Sequence, residues 1–115
     1  MRIDAHVHHI SNGYRAELEK EEFGYALPPW SRDSMLAFMD RFGIDAAVTS
    51  PSPPGVYFGD AGRARELARV CNEETAALVG SAPDRFAGLA ILPLPDVEAA
   101  IVELSHALDV LLLDG

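Results

Sequence analysis

Cysteine occurs once in the 115 residues, at Cys71, so the chain cannot close an internal disulfide, and such usage suits a reducing compartment. Basic residues are scarce as well. Nine Lys and Arg stand against eighteen Asp and Glu, a net charge of −9. Nucleic acids and anionic membrane surfaces both reward clusters of Lys and Arg, so neither is an expected partner. Long apolar runs are missing: runs such as Leu89 to Leu92 and Val110 to Leu113 are far too short to cross a bilayer. No apolar leader opens the chain, because Asp4, His6, His8 and His9 interrupt it at once. Internal repeats and low-complexity tracts are absent. What remains, 49% hydrophobic and 23% charged residues, is the composition of an ordinary globular domain with a modest core. One soluble, cytoplasmic domain is the first expectation.

Periodicity supplies the order of elements. Ile3, Ala5 and Val7 alternate with Asp4, His6 and His8, so residues 2–8 read as a strand. Residues 9–30 form a long connection, of a length that in small domains is usually functional or disordered. Its acidic stretch Glu17, Glu19, Glu21, Glu22 has room for a helical turn or two, while Asn12-Gly13 and Pro28-Pro29 read as turns. Ser31 or Asp33 caps a helix to Arg41 that turns Met35, Leu36, Met39 and Phe42 to one side and stops at Gly43. Residues 44–50 make a second strand. Asp60 caps a long helix whose buried stripe is Ala64, Leu67, Ala68, Cys71, Thr75, Leu78 and Val79, ending at Gly80. Residues 86–92 make a third strand. Asp96 caps a third helix with Val97, Ala100, Ile101, Leu104 and Leu108 inward, and residues 110–113 make a fourth strand. Four apolar strands alternating with three helices predict a parallel sheet covered by helices. An open doubly wound sheet and part of a (β/α)8 barrel both fit, a whole barrel needing about 250 residues.

The chemistry-bearing feature is His6 and His8 in Asp4-Ala5-His6-Val7-His8-His9. Residues i and i+2 of a strand share a face, so both imidazoles leave the first strand side by side, near its C-terminal end. Catalytic groups collect at that end in parallel α/β folds. Two imidazoles can share one divalent cation, whose identity the ligands leave open among zinc, copper, iron and nickel. The plain alternative is a half-buried strand whose histidines bond backbone carbonyls. Parity places Asp4 on the same face, either orienting an imidazole or bonding backbone at the strand's start. His9 points the other way and packs. Trp30 and Tyr25 either line a pocket or anchor the loop. Ser50, Ser52, Pro54 and Gly55 border the second strand's end, where Pro54 and Gly55 are further pocket candidates. Gly55 either lets a ligand approach the backbone or makes a plain tight turn. Cys71, Asn72, Glu73 and Arg85 read as structural, and His106 falls mid-helix, away from the site.

The opening Ile3-Asp4-Ala5-His6-Val7-His8 resembles the D-x-H-x-H start of metal-dependent amidohydrolases. The nearer resemblance is to the branch holding aminocarboxymuconate semialdehyde decarboxylase and the methylsalicylate-type decarboxylases. Trp30, Met39-Asp40, Gly43-Ile44, Pro54-Gly55, Ala68-Arg69 with Asn72-Glu73, Pro83-Asp84-Arg85-Phe86, Ala90-Ile91-Leu92-Pro93 and Asp114-Gly115 follow that branch's order. The resemblance covers essentially the whole chain. It implies that residues 1–115 are an incomplete barrel domain, the N-terminal part of a (β/α)8 barrel with about four strands and three helices. It also implies one divalent metal at the barrel mouth, most often zinc, with manganese as the alternative, and His6 and His8 as its first-strand ligands. The remaining ligands and the catalytic residues are expected beyond residue 115. The implied activity is non-oxidative decarboxylation of a small carboxylic acid, by a protein that family analogy makes a homodimer. Hydrolysis of a lactone, ester or amide on the same scaffold is the first alternative, and a small non-enzymatic α/β module is the second.

Overall fold

Strand β1 (Ile3–His9) pairs in parallel with β2 (Ala46–Pro51), which pairs in parallel with β3 (Phe86–Gly88), giving the order β1-β2-β3. The computed structural model describes residues 1–20 and 27–115, so Tyr25, Glu21 and Glu22 lie outside the described residues. Helices α1 (Asn12–Lys20), α2 (Arg32–Phe42), α3 (Ala61–Ser81) and α4 (Val97–Asp109) complete the chain. Along β2, buried Ala47, Thr49 and Pro51 alternate with half-buried Ala46, Val48 and Ser50. Parallel register carries that alternation across the sheet. Val7, His9, Ala47, Thr49, Phe86 and Gly88 share the face the helices cover, and His8, Ala46, Val48, Ser50 and Ala87 share the open one.

The covered face holds the core in two clusters. Met39 of α2, Leu78 of α3, Ala47 and Phe86 form one. Ile10, Tyr14, Leu18, Val56, Ala64, Leu67, Ala68 and Cys71 form the other, between α1 and α3. Each fully buried Leu, Met or Phe contributes about 1.5–3 kcal/mol of transfer free energy. The predicted stripe of α3 is buried except for half-buried Val79, and Asn72 joins it. Its predicted cap, Asp60, accepts from the Arg63 amide at 2.9 Å, and the helix runs one residue past Gly80. Ser31 caps α2, and Gly43 ends it at φ 64°, a left-handed conformation that glycine adopts without strain.

Four expectations need correction. Asn12-Gly13 is the first turn of α1, not a loop, because the Glu74 carboxylate accepts from the Gly13 amide at 2.9 and 3.2 Å and satisfies a free helix N-terminus. The third strand stops at Gly88. Both backbone polar groups of Ile91 are taken by the Asn72 side-chain amide, at 2.8 and 2.9 Å, so they are lost to a ladder. No fourth strand forms among the described residues. The Val110 and Leu111 amides bond back to His106 O, Leu112 turns the chain at φ 57°, and only residues 114–115 reach the β3 edge, where Asp114 N donates to Gly88 O. Helix α4 is also rotated from its predicted face: Ala100, Glu103 and Ala107 are buried, while Val97 and Ile101 are each 61% exposed. Glu103 turns inward because Arg69 and Asn72 of α3 bond its carboxylate.

Close packing of α1 on α3 depends on Gly13. A Cβ there would meet Val70 Cγ1 at 2.6 Å and the Glu74 carboxylate at 2.9 Å. Gly13→Ala is expected to destabilise the protein by about 1–3 kcal/mol through overpacking, although alanine is the better helix former. A urea unfolding midpoint equal to or above that of the unmodified protein would contradict this packing account.

Candidate functional site

Two adjacent histidines at the end of β1 face opposite ways. His9 is buried, 2% exposed, and both ring nitrogens are engaged: Nδ1 with Thr49 Oγ1 at 2.9 Å and Nε2 with Thr75 Oγ1 at 3.0 Å. The hydroxyl of Thr75 donates its one proton to Cys71 O at 2.8 Å, so it accepts from His9 Nε2–H. Burial pushes the His9 pKa down to about 4, against the opposing pull of Glu74, so the ring is neutral near pH 7. A neutral ring protonated at Nε2 has a lone pair at Nδ1, which accepts from the Thr49 hydroxyl. His9 therefore packs, as expected. Burial pushes the neighbouring Cys71 thiol up to about 12, so it too is structural.

His6 and His8 occupy the other side. Their rings meet edge-on with centroids 5.1 Å apart, and both are exposed. Two imidazoles bound to one cation at about 2.0–2.1 Å in near-tetrahedral geometry have centroids roughly 5 Å apart, a spacing with which this pair is compatible. His8 sits opposite Ser50 in the ladder, and its Nδ1 lies 3.1 Å from Ser50 Oγ. Among the described residues no set of three or more His, Cys, Asp or Glu converges as a metal site.

The parity argument for Asp4 fails. Two residues separate Asp4 from Val7, whereas one separates their partners Ala47 and Thr49, so β1 carries one extra residue there. This bulge puts Asp4 in register with Ala47, on the face of Val7 and His9, and its carboxylate accepts from the His6 backbone amide at 3.1 Å rather than from a ring. Trp30 packs against the core, its ring 5.9 Å from that of His9. There it lines a cavity of about 380 Å³ with His9, Ser31 and Glu74, which does not include His6 or His8. Exposed Pro54 and half-buried Gly55 follow β2. The Tyr14 hydroxyl pins Gly55, donating to its carbonyl at 2.9 Å and accepting from its amide at 3.0 Å. Tyr14 has no local sequence signal for this role. Ser50 had one, since aligning the C-terminal ends of two parallel strands brings it beside His8.

The family model described as amidohydrolase matches residues 3–115. The chain belongs to the amidohydrolase family. This amidohydrolase chain is 35% identical to decarboxylase yanB of Aspergillus niger across 99% of its own length and 33% of that protein's. It is 29% identical to 6-methylsalicylic acid decarboxylase of Penicillium expansum, across 99% and 37% of the two chains. The solved structure of a dihydroxybenzoic acid decarboxylase from Polaromonas, holding manganese and 2-nitroresorcinol, superposes with a TM-score of 0.81 at 27% identity, covering 97% of this chain and 36% of that one. The amidohydrolase chain thus spans about a third of the length of the curated relatives it matches. Its strands and helices are part of a (β/α)8 barrel, which excludes the open doubly wound sheet. No helix among the described residues is long and apolar enough to cross a membrane.

The His9 node yields a test. Thr75→Val keeps the shape of the side chain and leaves His9 Nε2–H buried without an acceptor, which costs about 1–3 kcal/mol. Denaturant titration should show that loss, with an unchanged metal content measured alongside. Unchanged stability would contradict the assigned hydrogen-bond directions.

Proposed function

We propose that the protein is a metal-dependent decarboxylase acting on a small aromatic carboxylic acid, with His6 and His8 as first-strand ligands of a divalent cation. The observation that carries this reading is an imidazole pair at 5.1 Å, on the open end of β1, in a chain matched along 99% of its length by decarboxylases. The acids named for the relatives, 6-methylsalicylic and dihydroxybenzoic, support a hydroxylated benzoate as the substrate class. Two imidazoles suit zinc, and the Polaromonas relative carries manganese, so both ions belong in the test.

When bound, the cation supplies Lewis-acid polarisation of a substrate oxygen and steadies charge as the carboxylate departs. In this reading His6 and His8 hold it at the C-terminal end of the sheet, where the substrate would lie against the open face. The bond from the ring carbon to the carboxylate breaks, its electron pair stays on that carbon, CO2 leaves and a proton takes its place. The proton donor and the remaining ligands come, in this reading, from the two thirds of the relatives' length that the chain does not span. Pro54 and Gly55, the latter held by Tyr14, would border the substrate's entrance.

The full-length protein should release CO2 from 2,6-dihydroxybenzoate or 6-methylsalicylate. His6→Ala and His8→Ala should each lower that rate by more than about 100-fold, since even groups that only orient ligands cost about 10–100-fold. Zinc and manganese content should fall with it. Hydrolysis of esters or lactones without CO2 release would replace this reading with the hydrolase one. Equal metal content in all three proteins would remove the metal site altogether.

A further inference from the structure

We infer that Ser50 is a positioning residue for His8, fixing which ring nitrogen faces the cation. The inference rests on the metal site proposed above and extends it to the second strand. Parallel pairing sets Ser50 directly opposite His8, and its Oγ lies 3.1 Å from His8 Nδ1. That contact occupies Nδ1 and leaves Nε2 as the only ring nitrogen open to a metal. A neutral imidazole ligating through Nε2 carries its proton on Nδ1, so the Ser50 oxygen accepts that N–H when the site is loaded. His6 differs: among the described residues its ring has the edge contact with His8 and no recorded hydrogen bond. One ligand is therefore oriented before the cation arrives, and the other is not.

The chemistry of the acceptor sets the size of the effect. Ligand histidines commonly donate to a carboxylate, which also makes the ring more basic. A serine hydroxyl is neutral, so its contribution is orientation and tautomer selection with little added basicity. The expected loss on its removal sits at the low end of the usual range, about tenfold in metal affinity.

The test uses the full-length protein and reads metal affinity rather than turnover. Dissociation constants for Zn²⁺ and Mn²⁺ are measured by competition with a chromogenic chelator, for the unmodified protein and for Ser50→Ala, Ser50→Thr, Ser50→Val and His6→Ala. Ser50→Ala and Ser50→Val should weaken binding about tenfold, while Ser50→Thr, which keeps the hydroxyl, should restore most of it. The Thr and Val variants share one shape, so their difference reports the hydroxyl even where Ser50→Ala fails to fold. If Ser50→Ala and Ser50→Val bind as tightly as the unmodified protein while His6→Ala does not, Ser50 has no such role and the metal site stands. If His6→Ala also binds normally, the metal site itself is wrong, and this inference falls with it.

Discussion

His9 is bonded at both ring nitrogens, to Thr49 of β2 and Thr75 of α3, and those two bonds fix how the first strand meets the rest of the chain. Neighbouring strand residues point to opposite faces, so a buried His9 commits His8 to the open side. The low pKa of His9 belongs to the same arrangement: burial takes from the ring the water that a charged imidazole would need, and this outweighs the opposing pull of Glu74. A neutral, buried imidazole thus acts as a peg, and its neighbour in sequence becomes the exposed one. In Asp4-Ala5-His6-Val7-His8-His9 the three histidines look alike, yet packing gives one of them a different role from the other two.

A second constraint acts at the far edge. Glu103 is buried with its carboxylate between Arg69 Nε at 2.9 Å and Asn72 Nδ2 at 2.8 Å. An unpaired carboxylate in that position would be costly, so α4 must settle where both donors reach it. The same Asn72 amide closes on Ile91, and this ends β3. One polar node on α3 therefore decides both the rotation of α4 and the length of the third strand. The exposed Val97 and Ile101 follow from it, because a helix that turns Glu103, Ala100 and Ala107 inward presents its branched residues outward.

The strand and helix order was legible because apolar periodicity is local: β1, β2, α2 and α3 all lie within a residue or two of where pattern and capping residues put them. That the His6 and His8 rings lie side by side was legible from the i, i+2 rule. Other features depend on partners distant in sequence. The bulge between Asp4 and Val7 exists only relative to Ala47 and Thr49, so strict alternation put Asp4 on the wrong face. Helix α4 was assigned by hydrophobicity, which has no term for a glutamate satisfied by two donors some thirty positions earlier. Gly13 read as a turn because Glu74, sixty-one residues away, is what supports it as a helix start.

The net charge of −9 bears on the proposed anionic substrate. The charge of these 115 residues by itself repels a carboxylate, so local charge matters for the encounter. On the open face the register brings together Ala46, Val48, Ser50 and Ala87 with His8, none of them acidic. Asp4 precedes these residues on β1, and the bulge turns it to the covered face, where its carboxylate is engaged by the His6 amide. Charges more than a Debye length away, about 8 Å at physiological ionic strength, are largely screened when they are solvent-exposed. A divalent cation held by His6 and His8 would then dominate the local field, while the uncharged wall leaves it undiluted. The bulge thus keeps a negative charge off the face where the proposed anion would bind.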